Sequence, residues 1–440
     1  MEVFFSYIFI MKDKLIKSTL VLLIGGFVTK ILGMLIKIVM GRMVGSDILG
    51  LYMMILPTFS LFIGLGQFGM PVALSKMIAE DKNNNKNLFF SIIFLLLIIN
   101  TLLVIVIILI APLLSKYLLK NSYLYYGILA IAIVIPFISL SSICRSYFFG
   151  KEKMIPHVVS NIIEDLVRLI VMIVFIPFFI KKGISYLLCF LILINVISEA
   201  TSIFILFLFL PKNISFKRCD FIPNKNYIRD SLSIGIPNTT GRLIGSVGYF
   251  LEPILLTNIL SYVGYTSSFI TREYGCLSGY VMPILLLPSF FTMAISQALL
   301  PTISKEYSNG RIKNAKKSLK LGITISLIIG FVFTCLFVLF SDVFLNVIYH
   351  TSEGVSYMKF LAPVCLLQYF QAPLNSCLDA TGRSKDIMIG NFIGMIVRSC
   401  FIVIFSLFRI GLWGLILAIS INVFVITIYD FIKVKNVFSK

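Results

Sequence analysis

Asn161-Ile-Ile-Glu-Asp-Leu-Val-Arg168 and Asn391-Phe-Ile-Gly-Met-Ile-Val-Arg398 share the pattern Asn-x-Ile-x-x-x-Val-Arg. They lie 230 positions apart (391 minus 161), and each sits in an apolar run long enough to cross a bilayer. Gln67-x-x-x-Pro71 and Gln297-x-x-x-Pro301 keep the same offset, and Ser-Lys follows in both (Ser75-Lys76 and Ser304-Lys305). An internal repeat with ionisable residues in matching spans is the plan of a duplicated membrane transporter.

Working outward, apolar runs of span length cover 15–40, 49–74, 88–111, 123–144, 157–180, 184–210, 231–258, 274–300, 318–340, 354–378, 386–408 and 411–432. Hydrophobic residues make up 59% of the chain and charged residues only 13%, about half the charge of a soluble domain. The expected fold is therefore all-α and polytopic. Twelve transmembrane helices form two parallel six-helix repeats, two lobes around a central cleft. The expected division is an N-terminal lobe at 1–210, a cytoplasmic linker at 211–230 and a C-terminal lobe at 231–440. Six spans per half is an even number, so the halves insert the same way up and are related by an axis along the membrane normal.

The formal net charge of +19 does not signal nucleic acid. Lys and Arg cluster in alternate loops, among them Lys76, Lys82 and Lys86; Arg145, Lys151 and Lys153; Lys212, Lys217, Arg218, Lys225 and Arg229; and Lys305, Arg311, Lys313, Lys316, Lys317 and Lys320. That alternation is the positive-inside pattern, and it puts both termini in the cytoplasm. The eight cysteines include no Cys-x-x-Cys, which argues against a zinc site or a disulfide framework. There is no Walker A loop and no nucleophile motif. No catalytic residue, metal or cofactor is expected. The first ten residues lack the layout of a signal peptide, and Met11-Lys-Asp-Lys reads as an alternative start to Met1.

Charges inside spans are the candidates for function, because an ionisable group in the membrane normally faces protein or water. Span one carries Lys30 and Lys37, seven residues apart on one helix face, with Arg42 beyond them and no acid in the span. Span seven carries Asn238, Arg242 and Glu252. Arg242 follows Arg229 by the same 13 positions that separate Lys30 from Lys17, so the two cations hold equivalent depths. Glu164 and Arg168 are spaced i,i+4 in the favourable order and read as a structural or coupling ion pair. The second copy has Gly394 where Glu164 stands. Arg398 thus needs a partner elsewhere, Glu199 in span six or an anionic ligand. The candidate substrate-binding set is Lys30, Lys37, Arg42, Asn238, Arg242, Glu252 and Arg398. Such an excess of cations suits a phosphate or diphosphate group.

Thr29-Lys-Ile-Leu-Gly-Met-Leu-Ile-Lys-Ile-Val-Met-Gly-Arg-Met-Val-Gly45, Gly69-Met-Pro-Val-Ala-Leu-Ser-Lys76, Arg145-Ser-Tyr-Phe-Phe-Gly-Lys-Glu-Lys-Met-Ile-Pro156 and Leu277-Ser-Gly-Tyr-Val-Met-Pro283 resemble the stage V sporulation protein B family. That family belongs to the multidrug/oligosaccharidyl-lipid/polysaccharide (MOP) flippase superfamily. The resemblance implies a bacterial cytoplasmic-membrane transporter that moves an undecaprenyl-diphosphate-linked sugar, a peptidoglycan precursor for spore cortex or cell wall, by alternating access. It implies a polyprenyl-diphosphate-linked saccharide and membrane lipids as partners, H+ or Na+ as a coupling ion, and cell-wall synthesis proteins nearby. Lys30 and Arg42 fall on basic positions of the span-one motif. Ile36-Lys37 departs from the Arg-Asp pair usual in the related lipid II flippases. The rival readings are a MATE-like drug/cation antiporter, a capsular or exopolysaccharide repeat-unit flippase, and a scaffold or enzyme of polysaccharide synthesis.

Overall fold

The computed structural model describes residues 2–80, 84–210 and 218–438. Lys82, Lys212, Lys217, the first part of the expected linker and the start at Met1 lie outside the described residues. In chain order the helices are α1 (Glu2–Gln67), α2 (Met70–Ala79), α3 (Asn85–Pro112), α4 (Tyr125–Gly150), α5 (Met154–Lys182) and α6 (Ile184–Leu208). Then come α7 (Lys225–Val263), α8 (Ser267–Gly275), α9 (Met282–Leu285), α10 (Ser289–Ser308) and α11 (Ile312–Leu339). The last four are α12 (Ser341–Tyr349), α13 (Val355–Ala380), α14 (Ser384–Ser406) and α15 (Trp413–Phe438).

Among the described residues there is no strand. Helix is the expected answer to apolar runs of this length, because it satisfies every backbone group within the segment where no water is at hand. All twelve apolar runs fall on these helices. The first two share α1, which breaks at Gly45, and the second continues into α2. The eighth is a broken span in which a π-turn at Cys276–Val281 joins α8 to α9, and the chain bends by 50° before α10. Among the described residues, eight helices are long and apolar enough to cross a membrane by themselves, and the bent pair makes a ninth.

The Gln-x-x-x-Pro repeat has different outcomes in its two copies. In the first, α1 ends at Gln67, Phe68 and Gly69 take positive φ (46° and 66°), and Pro71 opens α2. Pro has no N–H to lose at the start of a helix. A Cβ on Gly69 would stand 2.3 Å from the Gly235 carbonyl oxygen, so both the turn and the close approach of α7 require glycine here. In the second copy Pro301 lies inside the continuous α10.

The chain divides into two compact units. One comprises Met1–Met43, Thr58–Tyr117 and Asn121–Leu243; the other comprises Val44–Pro57, Leu118–Lys120 and Ile244–Lys440. In the first unit α4 packs on α2, α3 and α6, and α5 packs on α6. A buried core of Met70, Leu74, Met77, Ile78, Leu88, Ile92, Leu96 and Ile143 joins α2, α3 and α4. In the second unit α13 packs on α10, α11 and α15, and α14 on α15. Its core of Ile303, Ala315, Leu319, Leu374, Cys377, Leu378, Val434 and Val437 joins the corresponding helices. The outer faces stay apolar: Leu97, Leu102 and Leu109 of α3 are all more than half exposed, as a lipid-facing helix requires.

Candidate functional site

In the first unit, Lys30 is exposed on α1 and Lys37 half-buried. Nearly two turns separate them along one face, about 10 Å. Among the described residues neither forms an ion pair. Arg42 is exposed at the far end of the same stretch. On α7, Asn238 is half-buried and Arg242 exposed, and Arg242 Nη1 donates to Gln67 Oε1 at 3.4 Å. Gln67, noted in the sequence only as a repeat marker, thus ties the end of α1 to the α7 cation.

The same unit holds a buried charge network on α4, α5 and α6. The sequence reading puts Arg145 in a basic loop. The structure instead places it inside α4, with its side chain only 15% exposed. Its Nη1 donates to Glu164 Oε2 and Asn161 Oδ1, both at 2.7 Å, and its Nη2 to Glu199 Oε2 at 2.8 Å and Ser141 Oγ at 2.6 Å. Ser141 also donates to Glu199. Arg168 Nη2 bonds Glu164 Oε1 at 2.6 Å, and Nη1 bonds Asp165 Oδ1 at 3.1 Å. The i,i+4 pair read from sequence is present, but within a larger cluster of three carboxylates and two guanidiniums. Glu164 and Glu199 are 6% and 5% exposed, so each depends on its arginine. The Asn of the first repeat segment has a role here, because Asn161 helps hold Arg145.

In the second unit Arg398 pairs with Glu252 of α7, and Tyr274 donates to the other Glu252 oxygen at 3.2 Å. Glu199, expected as the partner of Arg398, is instead taken by Arg145. The two repeats therefore neutralise their matched arginines differently: Arg168 uses its own helix, and Arg398 uses an acid 146 positions earlier in the chain (398 minus 252). The reason is packing. A Cβ at Gly394 would stand 2.4 Å from Ile426 Cδ1 and 2.7 Å from Asn422 Oδ1, and one at Gly390 would stand 2.9 Å from Tyr429. These two glycines, one turn apart, form a trough in α14 in which α15 lies, a small-xxx-small helix contact. No side chain the size of Glu fits where Glu164 has its counterpart.

Of the sequence-predicted residues, the structure brings together Glu252 with Arg398, Glu164 with Arg168, and Arg242 with Gln67. Arg145 and Asp165 were missed as members of the network. Arg145 lies at the end of an apolar run beside loop lysines and looks like one of them. Among the described residues no group of His, Cys, Asp and Glu has the arrangement of a metal site.

Apolar helices of span length with charge networks buried among them define a multi-pass membrane protein. The comparisons put it among transporters of the MOP superfamily. The model of the polysaccharide biosynthesis protein family matches residues 15–307, and the MatE model matches 253–404. The chain belongs to the polysaccharide biosynthesis protein family and is SpoVB-like. It is 31% identical over 437 residues to stage V sporulation protein B of Bacillus subtilis (strain 168), covering 97% of this chain and 84% of that one. It is 20% identical over 473 residues to the lipid II flippase MurJ of the same organism, covering 97% and 83%. Among solved structures, an inward-facing multidrug resistance MATE family transporter of the MOP superfamily superposes with a TM-score of 0.73 at 16% identity, covering 93% of this chain and 94% of that one. Lipid II flippase MurJ in an inward closed conformation superposes with a TM-score of 0.72 at 16% identity, covering 94% and 87%.

Proposed function

We propose that the chain is a flippase for a lipid-linked saccharide, carrying an undecaprenyl-diphosphate-linked peptidoglycan precursor across the bacterial cytoplasmic membrane by alternating access. The observation that carries the reading is the pair Lys30 and Lys37, two cations on one face of α1 with no ion pair among the described residues. A diphosphate supplies the charge-assisted acceptors that such cations lack. Arg42, Asn238 and Arg242 extend the same polar track. Arg398 and Glu252 act as a pair that the anionic headgroup competes to open. Lobes at 1–210 and 231–440 carry the alternation, joined by the linker at 211–230, with both termini in the cytoplasm. A coupled ion, H+ or Na+, drives the cycle. Similarity to stage V sporulation protein B and to MurJ supports the lipid-linked class of cargo.

The test is translocation of labelled undecaprenyl-diphosphate-linked saccharide in vesicles containing the purified chain. Lys30→Ala and Arg242→Ala are expected to abolish transport while the protein still assembles. Unchanged transport in the double variant overturns this site. Export of cationic dyes in place of lipid-linked saccharide would instead favour the drug-antiporter reading.

A further inference from the structure

Two cavities adjoin on the outer surface of the first unit. One, of about 240 Å³, lies where α3 begins and α4 ends, and α6 completes its wall. The other, of about 140 Å³, lies further along α3 and α4. Ile93 and Leu140 line both, so the two form one groove. Its rim faces lipid: Leu97 and Phe207 are both more than half exposed. On α3 the lining residues run from Lys86 to Asn100, 14 positions (100 minus 86), or about 21 Å of helix. That is the depth of one leaflet with its headgroups, half of a bilayer about 40–45 Å thick.

The two ends of the groove differ in chemistry. At the inner end Asn100 donates to the Leu96 carbonyl at 2.8 Å and to the Gly66 carbonyl at 3.4 Å, and Ser139 donates to Asn100 Oδ1 at 3.2 Å. These polar groups are satisfied within the protein and call for no polar ligand. At the mouth stands Lys86, the one charged side chain among the described lining residues. It lies two positions before the apolar run that begins at Leu88, the level at which a cation meets lipid phosphates. The first turn of α3 holds no acid, and the start of a helix itself favours an anion. The groove thus asks for an anionic head at one end and a hydrocarbon chain at the other.

Aromatic rings crowd the mouth. Phe89 meets Phe90 and Tyr147 edge-on, and Phe90 packs against Phe221 with centroids 4.3 Å apart. Phe221 belongs to the segment between the repeats, whose short turn Arg218–Phe221 is tied to the start of α3. Asn87 Nδ2 donates to the Asp220 carbonyl at 3.2 Å and the Ile222 carbonyl at 2.8 Å, and the Asn224 N–H donates to Ser91 Oγ at 2.9 Å. Phe221 and Ile222 are nevertheless 54% and 65% exposed, an apolar edge beside the groove that is stable where hydrocarbon covers it.

We propose that this groove binds one anionic phospholipid, its phosphate at Lys86 and one acyl chain running toward Asn100, with Phe221 closing over the chain near its head. The bound lipid holds the segment between the repeats against α3. The site does not depend on what the protein carries.

The experiment uses the purified full-length chain in phosphatidylcholine nanodiscs doped with phosphatidylglycerol or with phosphatidylcholine, each carrying a diazirine midway along one acyl chain. After irradiation, peptide mass spectrometry locates the adducts. They are expected on groove residues of α3 and α4 such as Ile93 and Leu140, severalfold more from phosphatidylglycerol than from phosphatidylcholine. Lys86→Gln is expected to lower that preference about fivefold while labelling from phosphatidylcholine stays as it was. Leu140→Trp, at a position 36% exposed, fills the groove and is expected to abolish the adducts there with both lipids, while the exposed Leu102 and Leu109 remain labelled. Should Leu140→Trp fail to fold, Phe221→Ala leaves α3 and α4 intact and is expected to reduce the groove adducts. Adducts spread evenly along the exposed face of α3, equal labelling by the two lipids, or variants that label as wild type does, overturn the proposal. Displacement of the phosphatidylglycerol probe by an equimolar amount of undecaprenyl diphosphate also overturns it, since the groove is then a site for a prenyl chain.

Discussion

Replacing Arg145 by Met keeps the length of the side chain and removes its charge. In the native structure Arg145 faces Glu164 at 2.7 Å and Glu199 at 2.8 Å, and both acids are nearly inaccessible to water. Glu164 retains Arg168, but Glu199 keeps only the Ser141 hydroxyl. Removing one partner of a buried pair costs about 3–5 kcal/mol, chiefly because the other charge is left desolvated. At roughly 2–4 °C per kcal/mol for a unit of this size, the melting temperature of the purified chain should fall by about 6–20 °C. The informative measurement is the cycle with Glu199→Gln. In the Arg145→Met background that change removes the stranded charge and should recover a large part of the loss. In the wild-type background the same change should be destabilising, because Arg145 loses a partner. Melting followed by size-exclusion chromatography after heating reads all four proteins. If Arg145→Met melts within about 2 °C of wild type, or if Glu199→Gln has the same effect in both backgrounds, the claim that Arg145 is the hub of the first unit is wrong.

Two further outcomes are expected. Arg398→Gln strands Glu252, which is 3% exposed, and should cost about 3–5 kcal/mol, while the double variant with Glu252→Gln should return most of it; equal melting temperatures for the single and double variants would refute the pairing. Gly69→Ala forces a Cβ to within 2.3 Å of the Gly235 carbonyl at a φ of +66°, so it should lower stability by about 1–3 kcal/mol, seen as reduced recovery of folded protein after heating, whereas alanine at Gly26, with open space around it, should not.

The architecture was legible because it is written in lengths. Apolar runs near 20 residues, basic loops in alternation and the repeated Asn-x-Ile-x-x-x-Val-Arg segments are properties of the chain itself, and all twelve runs fall on helices. The Glu164–Arg168 pair was legible for the same reason, since i,i+4 spacing fixes proximity within one helix. Partners on different helices were not. Nothing in the sequence says that Arg398 meets Glu252 rather than Glu199, because that choice is made by contacts between helices, Glu199 being taken by Arg145 within the first unit. Arg145 was hidden by its lysine neighbours, which advertise a loop while the helix continues through it to Gly150.

The trough at Gly390 and Gly394 also says something about the history of the chain. After a duplication, equivalent positions begin with equal freedom to change. With α15 lying against bare backbone, a glutamate at 394 demands that a whole helix withdraw first. An in-helix pairing like that of Arg168 is beyond the reach of single substitutions, and the burden of neutralising Arg398 falls on Glu252. Exchanging α14 for α5 in a chimera therefore tests ancestry as much as packing. The halves of this protein remain alike in outline, yet neither can any longer stand in for the other.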